Sequence, residues 1–205
     1  VDTIAPTVTI TSVGGNDATV SAQSADNLVV GTAEPNRIVS IKFGNTQLGT
    51  TTSDATGAWT YTLTEPNLIT IGQGSGKSIT ASQTDIAGNT GTSNSFSFAL
   101  DTLTPTVTIT SIGLGNDATV SSDSNDQTVV GTAEAGSSVS IKFGAITLGT
   151  ATANANGVWT YTLTSNNLST IGQGSGKSIT ASQSDAAGNT GNSNTFSFSV
   201  DTVAP

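Results

Sequence analysis

Cysteine, histidine and methionine are all absent from the 205 residues of this chain. Without cysteine there can be no disulfide, no thiolate zinc site and no thiol nucleophile. Without histidine the commonest general base and the commonest transition-metal ligand are missing too. Positive charge is scarce: 5 Lys and Arg stand against 14 Asp and Glu, for a net charge of −9. The basic stripe expected of a nucleic-acid partner is therefore lacking. No apolar run is long enough to read as a membrane helix, and Val1-Asp2-Thr3 lacks the charged and apolar segments of a secretory signal. What remains for chemistry is oxygen, from carboxylates, hydroxyls, amides and backbone carbonyls. Such ligands suit hard cations, calcium above all.

Helix formers are sparse, whereas Gly, Ser, Thr and Asn are abundant and 34% of the residues are apolar. Thr, Val, Ile and the aromatics fit a pleated, half-buried surface. The dominant signal is repetition. "NDATVS" at 16–21 returns at 116–121, "VVGTAE" at 29–34 returns at 129–134, and "WTYTLT" at 59–64 returns at 159–164. The earlier "PTVTIT" (6–11 and 105–110) is offset by one residue fewer, because "IGLGND" carries one residue more than "VGGND". Identity this extensive marks two copies of one domain. "DTIAP" (2–6), "DTLTP" (101–105) and "DTVAP" (201–205) punctuate them. The expected domains are thus residues 1–100 and 101–200, with 201–205 opening the linker to a truncated third repeat of a longer array.

Each copy reads as short alternating runs separated by turn residues, the pattern of a β-sandwich. In the second copy strands are expected near 106–111, 128–133, 138–143, 147–153, 158–163, 178–184 and 195–200. Val139, Ile141 and Phe143 alternate with polar residues, Trp159, Tyr161 and Leu163 share one face, and Phe196, Phe198 and Val200 another. The expected fold is all-β: two tandem immunoglobulin-like sandwiches of about seven strands each, in an elongated array. The tryptophans alternate with the other apolar residues of their strands and read as core rather than as sugar platforms.

"GQGSGKSIT" at 72–80 and 172–180 imitates a phosphate loop. A true one places Gly five residues before Gly-Lys-Ser and leads from a strand into a helix. Here that position is Ile71 or Ile171, and the following "SITASQ" alternates like a strand. A flexible inter-strand loop is expected instead. Threonine ladders such as "TVTIT" suit the outward face of a strand; seven short twisted strands offer no flat lattice for ice.

Alternating strand directions carry the loop at 133–136, the loop at 185–189 and the entering linker to one end of the second domain. Asp101, Glu134 and Asp185 thereby meet, and Asp2, Glu34 and Asp85 are their counterparts in the first copy; Asp201 would serve the next repeat. Three carboxylates at a seam repel unless neutralised, and calcium takes six to eight oxygens. The same acids can equally cap turns, as "Asp-x-Ala-Gly-Asn" does without a metal. A second acidic patch, Asp117, Asp123 and Asp126, lies in the loop at the other end, with Asp17 the counterpart of Asp117. Asp123, Asn125, Gln127 and Glu134 fall in EF-hand register, but Thr128 occupies the glycine position, and the first copy has Gln23 and Ala25. That loop is expected to be solvated.

On "DTxAP", "GTAE" and "SDAAGN", in this order and at this period, the chain resembles the bacterial Ig-like extender repeats of giant surface adhesins of the RTX type, exported by type I secretion, including those of biofilm and ice-adhesion proteins. The resemblance implies a calcium-stiffened, extracellular stalk on the cell surface that holds adhesive modules away from the cell. Calcium would sit at the linkers, on Asp2, Glu34, Asp85, Asp101, Glu134, Asp185 and Asp201. The partners implied are neighbouring repeats of the same chain, with no small-molecule substrate, no nucleic acid, no membrane insertion and a monomeric state. No catalytic residue is expected. The competing reading is an Ig-like module that itself contacts glycan or host protein.

Overall fold

The computed structural model describes residues 1–15, 17–113 and 117–203. The inserted residue within 112–117 and the last two residues of "DTVAP" lie outside this set. The chain divides into two compact units, Val1–Leu103 and Thr104–Pro205.

In the first unit, β1 (Thr9–Val13), β3 (Leu28–Thr32) and β6 (Ala58–Thr62) form a three-stranded antiparallel sheet in the order β1-β3-β6. The second sheet runs β2 (Thr19–Val20), β9 (Phe96–Leu100), β7 (Gly74–Thr84), β4 (Ile38–Phe43), β5 (Thr46–Thr52), and β8 (Thr90–Thr92) pairs with β7. β2 and β9 are parallel; the other pairs are antiparallel. Alternation dictates the core. Val29 from β3 and Trp59 from β6 face Val39, Ile41, Ile79, Ala81, Phe98 and Leu100 of the larger sheet, all buried. Trp59 lies across Gly31, where an added Cβ would come within 2.3 Å of the indole. The indole Nε1–H of Trp59 is buried without an acceptor, which fits a purely apolar seat.

The second unit repeats the plan: β10 (Thr108–Ile112), β12 (Thr128–Thr132) and β15 (Val158–Thr162) against β11 (Thr119–Val120), β18 (Phe196–Val200), β16 (Gly174–Ser184), β13 (Ser138–Phe143) and β14 (Ile146–Thr152), with β17 (Thr190–Asn192) on β16. Trp159 is 1% exposed. The tryptophans are core, as the alternation predicts.

Three expectations need correction. Each unit has nine strands among its described residues rather than seven, because β2, β8 and their counterparts are two or three residues long. Each also has a helix where none was expected, α1 (Glu65–Ile71) and α2 (Ser165–Ile171). Thr64 and Asn67 form a reciprocal capping box at its start. Asn67 also donates from Nδ2 to the Leu48 carbonyl at 2.9 Å, and the Tyr61 hydroxyl lies 2.8 Å from both that carbonyl and Asn67 Oδ1. Burial raises the Tyr61 pKa, against the smaller effect of the Asn67 hydrogen bond.

The third correction concerns "GQGSGKSIT". It is not a flexible loop: Gly72 caps α1 with φ of 71°, and β7 begins at Gly74. The order is helix to strand, the reverse of a phosphate loop.

Candidate cation-binding end of each domain

β7 ends at Thr84, and the chain turns directly into Asp85–Asn89. The Asp85 carboxylate closes that turn: Asn89 N donates to Oδ1 and Asn89 Nδ2 to Oδ2, both at 2.8 Å. These bonds, the Asn89 amide foremost, hold the Asp85 carboxyl below its ordinary pKa and so favour its anionic form. Asn89 Nδ2 also reaches the Asp2 carbonyl at 3.1 Å, which ties the entering segment to the same turn. The Asp2 carboxylate accepts from Ile4 N at 3.0 Å.

The loop carrying Glu34 is fixed from β7 by Gln83, which is 2% exposed. Its Oε1 accepts Glu34 N at 3.0 Å, and its Nε2 donates to the Glu34 carbonyl at 3.1 Å. A buried amide thus makes a two-point grip on one exposed residue. Asp2, Glu34 and Asp85 are brought to one end of the first domain through Asn89 and Gln83.

In the second domain Asp185 accepts Asn189 N and Nδ2, both at 2.9 Å. Glu134 N donates to Gln183 Oε1 at 3.1 Å, while Gln183 Nε2 donates to the Glu134 carboxylate at 2.6 Å. Asp101 and Asp201 each follow the last strand of their own domain, at the end opposite that domain's own aspartate turn. Asp101 N donates to the Val20 carbonyl and Asp201 N to the Val120 carbonyl, both at 2.9 Å.

Among the described residues, no three acidic side chains come close enough to hold a metal ion by themselves. The donor set is nonetheless oxygen throughout, from the carboxylates of Asp2, Glu34 and Asp85 and the neighbouring main-chain carbonyls. That fits calcium, which completes its shell with main-chain carbonyls and water.

The loop expected to be solvated is only partly so. Asp126 is 8% exposed, and its Oδ2 accepts Ser121 N at 2.8 Å. It braces the 3-10 turn Ser124–Gln127. Asp117 and Asp123 are exposed and accept from Thr119 N and Asn125 N. Sequence reasoning missed the holders, Gln83 and Asn89 with their copies; Gln83 shares the inward register of Ile79 and Ala81, which is the signal that could have revealed it.

Residues 116–200 match the family model of the bacterial Ig domain. Among solved structures, one described as a Ca2+-stabilized adhesin that helps an Antarctic bacterium reach out and bind ice aligns at 26% identity and a TM-score of 0.51. The alignment covers 99% of this chain and 51% of that one, so this chain spans about half its length. A second structure, from a 1.5-MDa bacterial ice-binding adhesin, aligns at 24% identity and a TM-score of 0.47, over 97% of this chain and 66% of that one. A single bacterial immunoglobulin-like domain from the M. primoryensis ice-binding adhesin aligns at 25% identity and a TM-score of 0.32, over 47% of this chain and 97% of that one. No curated protein matches the chain.

Proposed function

We propose that this tandem of bacterial Ig-like domains is a structural extender of a bacterial surface adhesin, stiffened by calcium at its linkers. The observation that carries the reading is the twice-built end: in both domains a buried glutamine fixes the glutamate loop and an asparagine fixes the aspartate turn. A surface acid that merely caps a turn has no need of a neighbouring loop held in register by a buried amide. The adhesin described as Ca2+-stabilized supports the same reading by likeness.

Asp85 and Glu34 with the linker's Asp2, and Asp185 and Glu134 with Asp101, are the residues that would hold the ion; Asp201 would serve a following domain. A bound divalent cation supplies charge neutralisation and a cross-link between linker and loops. The chain's own contribution is to hold its carboxylates in place and anionic. Gln83 and Gln183 do the first, and Asn89 does the second for Asp85. The site needs no transition-metal ligand, which agrees with a chain free of His and Cys.

Extracellular calcium modules bind at about 10⁻⁴–10⁻³ M. At 100 times the dissociation constant, an occupied site adds about 2.7 kcal/mol when the unfolded chain binds nothing. The test is a calorimetric calcium titration of the two-domain chain with melting curves in calcium and in EDTA. Heat of binding and a higher melting temperature in calcium are expected, with magnesium less effective because it sheds water reluctantly. Superimposed curves would end the calcium reading. Amide-nitrogen relaxation then tests stiffening: the domains should tumble as one body in calcium and separately in EDTA.

A further inference from the structure

The recurring "GQG" has a use that neither the core nor the acid loops absorb. Gly72 (φ 71°) and Gly74 (φ 110°) turn the chain from α1 into β7 through backbone conformations that L side chains rarely adopt. Between them Gln73 is exposed, yet it is fully engaged. Its Oε1 accepts Thr102 N at 3.0 Å, and its Nε2 donates to Thr102 Oγ1 at 2.6 Å. Asp101 N donates to the Val20 carbonyl, and the Asp101 carboxylate accepts Leu103 N at 3.1 Å. The second domain repeats every bond: Gln173 grips Thr202, Asp201 N donates to the Val120 carbonyl, and the Asp201 carboxylate accepts Val203 N.

The far side of the linker is fixed as well. Pro105 is buried, and its carbonyl packs so closely on Gly191 that a Cβ there would lie 1.8 Å from it; Pro6 and Gly91 do the same in the first domain. Leu103 and Thr104 alone lie between these two anchorages, and both are exposed.

We propose that Gln73 and Gln173 are positioning residues: each fuses the Asp-Thr opening of the next linker to the domain behind it, and Gln73 thereby confines the turning freedom of its linker to two residues, Leu103 and Thr104. The inference rests on the reading that Asp101 is a calcium ligand for its importance, but not for its existence. A ligand carried on five free residues must be ordered when the ion arrives. One gripped by the preceding domain has already lost that freedom, so less affinity is lost to ordering.

The test uses the two-domain chain in EDTA, with amide exchange of Thr102 and chymotryptic cleavage after Leu103 as readouts. Thr102 N–H should be protected in the wild type. In Gln73→Ala its protection should fall by up to about tenfold, as expected for one net hydrogen bond, and cleavage should quicken. Gln73→Glu keeps the Oε1 acceptor for the Thr102 N–H and puts an acceptor for the Thr102 O–H in place of the Nε2 donor; it should restore protection, which a general loosening of the fold would not. Because Gln73 is exposed, the EDTA melting temperature should not move. A calcium titration adds the functional arm: Gln73→Ala should bind several-fold more weakly than wild type or Gln73→Glu, through lost preorganisation. An unprotected Thr102 in the wild type, or equal exchange in wild type and Gln73→Ala, overturns the proposal. Lost protection with unchanged calcium affinity overturns the positioning role. No heat of calcium binding in a wild type whose Thr102 is protected refutes the calcium reading and supports the grip.

Discussion

Replacing Gln83 and Gln183 together by alanine tests whether the acid-bearing end is built or incidental. Gln83 is 2% exposed, and Gln183 likewise. Each grips the main chain or side chain of the facing glutamate at two points. Truncation removes two hydrogen bonds worth about 0.5–1.5 kcal/mol each in net terms, and it leaves a small void beside Ala81 or Ala181. Water can reach the exposed Glu34 and Glu134 loops, and Ser53 Oγ still donates to the Glu34 carbonyl, so the full penalty for orphaned groups does not apply. The sum is about 2–3 kcal/mol per domain. For a domain of about 100 residues that lowers the melting temperature by on the order of 10 °C. Differential scanning calorimetry of the double variant in EDTA reads this directly, since both domains carry the change. Gln83→Leu with Gln183→Leu fills the void but breaks the grip, so it should recover part of the loss in EDTA and none of the calcium affinity. A double alanine variant that melts within about 2 °C of wild type would refute the reasoning, because the loops would then stand without the glutamines.

Asp85→Asn and Asp185→Asn keep shape and remove charge; calcium affinity in a titration should fall by about tenfold or more while the fold persists in EDTA. Carboxyl titration by NMR should place Asp54 and Asp85 below the ordinary 3.8, Asp54 chiefly through the Thr56 hydroxyl and Asp85 chiefly through the Asn89 amide. Their contribution to stability is present above that ordinary value and is lost as pH falls through the lowered folded one; a value at or above 3.8 for either contradicts the bonding described. Because Asn154 replaces Asp54 in the second copy, only the first domain should show that part of the acid loss. Gly31→Ala drives a methyl to within 2.3 Å of the Trp59 ring and 2.1 Å of the Thr9 carbonyl; urea unfolding should show a loss of at least about 1–3 kcal/mol.

Much of the sandwich was legible because period-two patterning is carried by large residues. Val139, Ile141, Trp159, Leu163, Phe198 and Val200 announce their faces, and all are buried. The helix was not legible. "EPNLITI" is seven residues rich in β-branched side chains, and its capping box uses Asn67 where Glu or Gln is the usual signal. β2 and β8 are too short to show any period. At the acid end, the carboxylates stood out by composition, whereas Gln83 looked like any polar strand residue. Its meaning comes from a partner 49 positions away, which local pattern cannot reveal. Asp126 misled for the converse reason: an acid in a Ser-Asn-Asp run reads as solvent-facing, yet the turn folds it inward onto Ser121 N.

The chain enters each domain on one sheet and leaves on the other. β1 belongs to the three-stranded sheet and β9 to the larger one, and among the described residues no hydrogen-bonded ladder joins the two. Tension applied along the polypeptide therefore cannot be carried from entry to exit by a continuous zipper of backbone bonds. It passes instead through the apolar interior, from Val13 and Trp59 to Ile79, Phe98 and Leu100, and through the packing of the entering segment on β8, where Asn89 Nδ2 holds the Asp2 carbonyl and the Pro6 carbonyl lies against Gly91. The tensile strength of such a domain is set by its packing, so that conservative cuts in the core should weaken it under load more than the loss of any one strand pair at an edge.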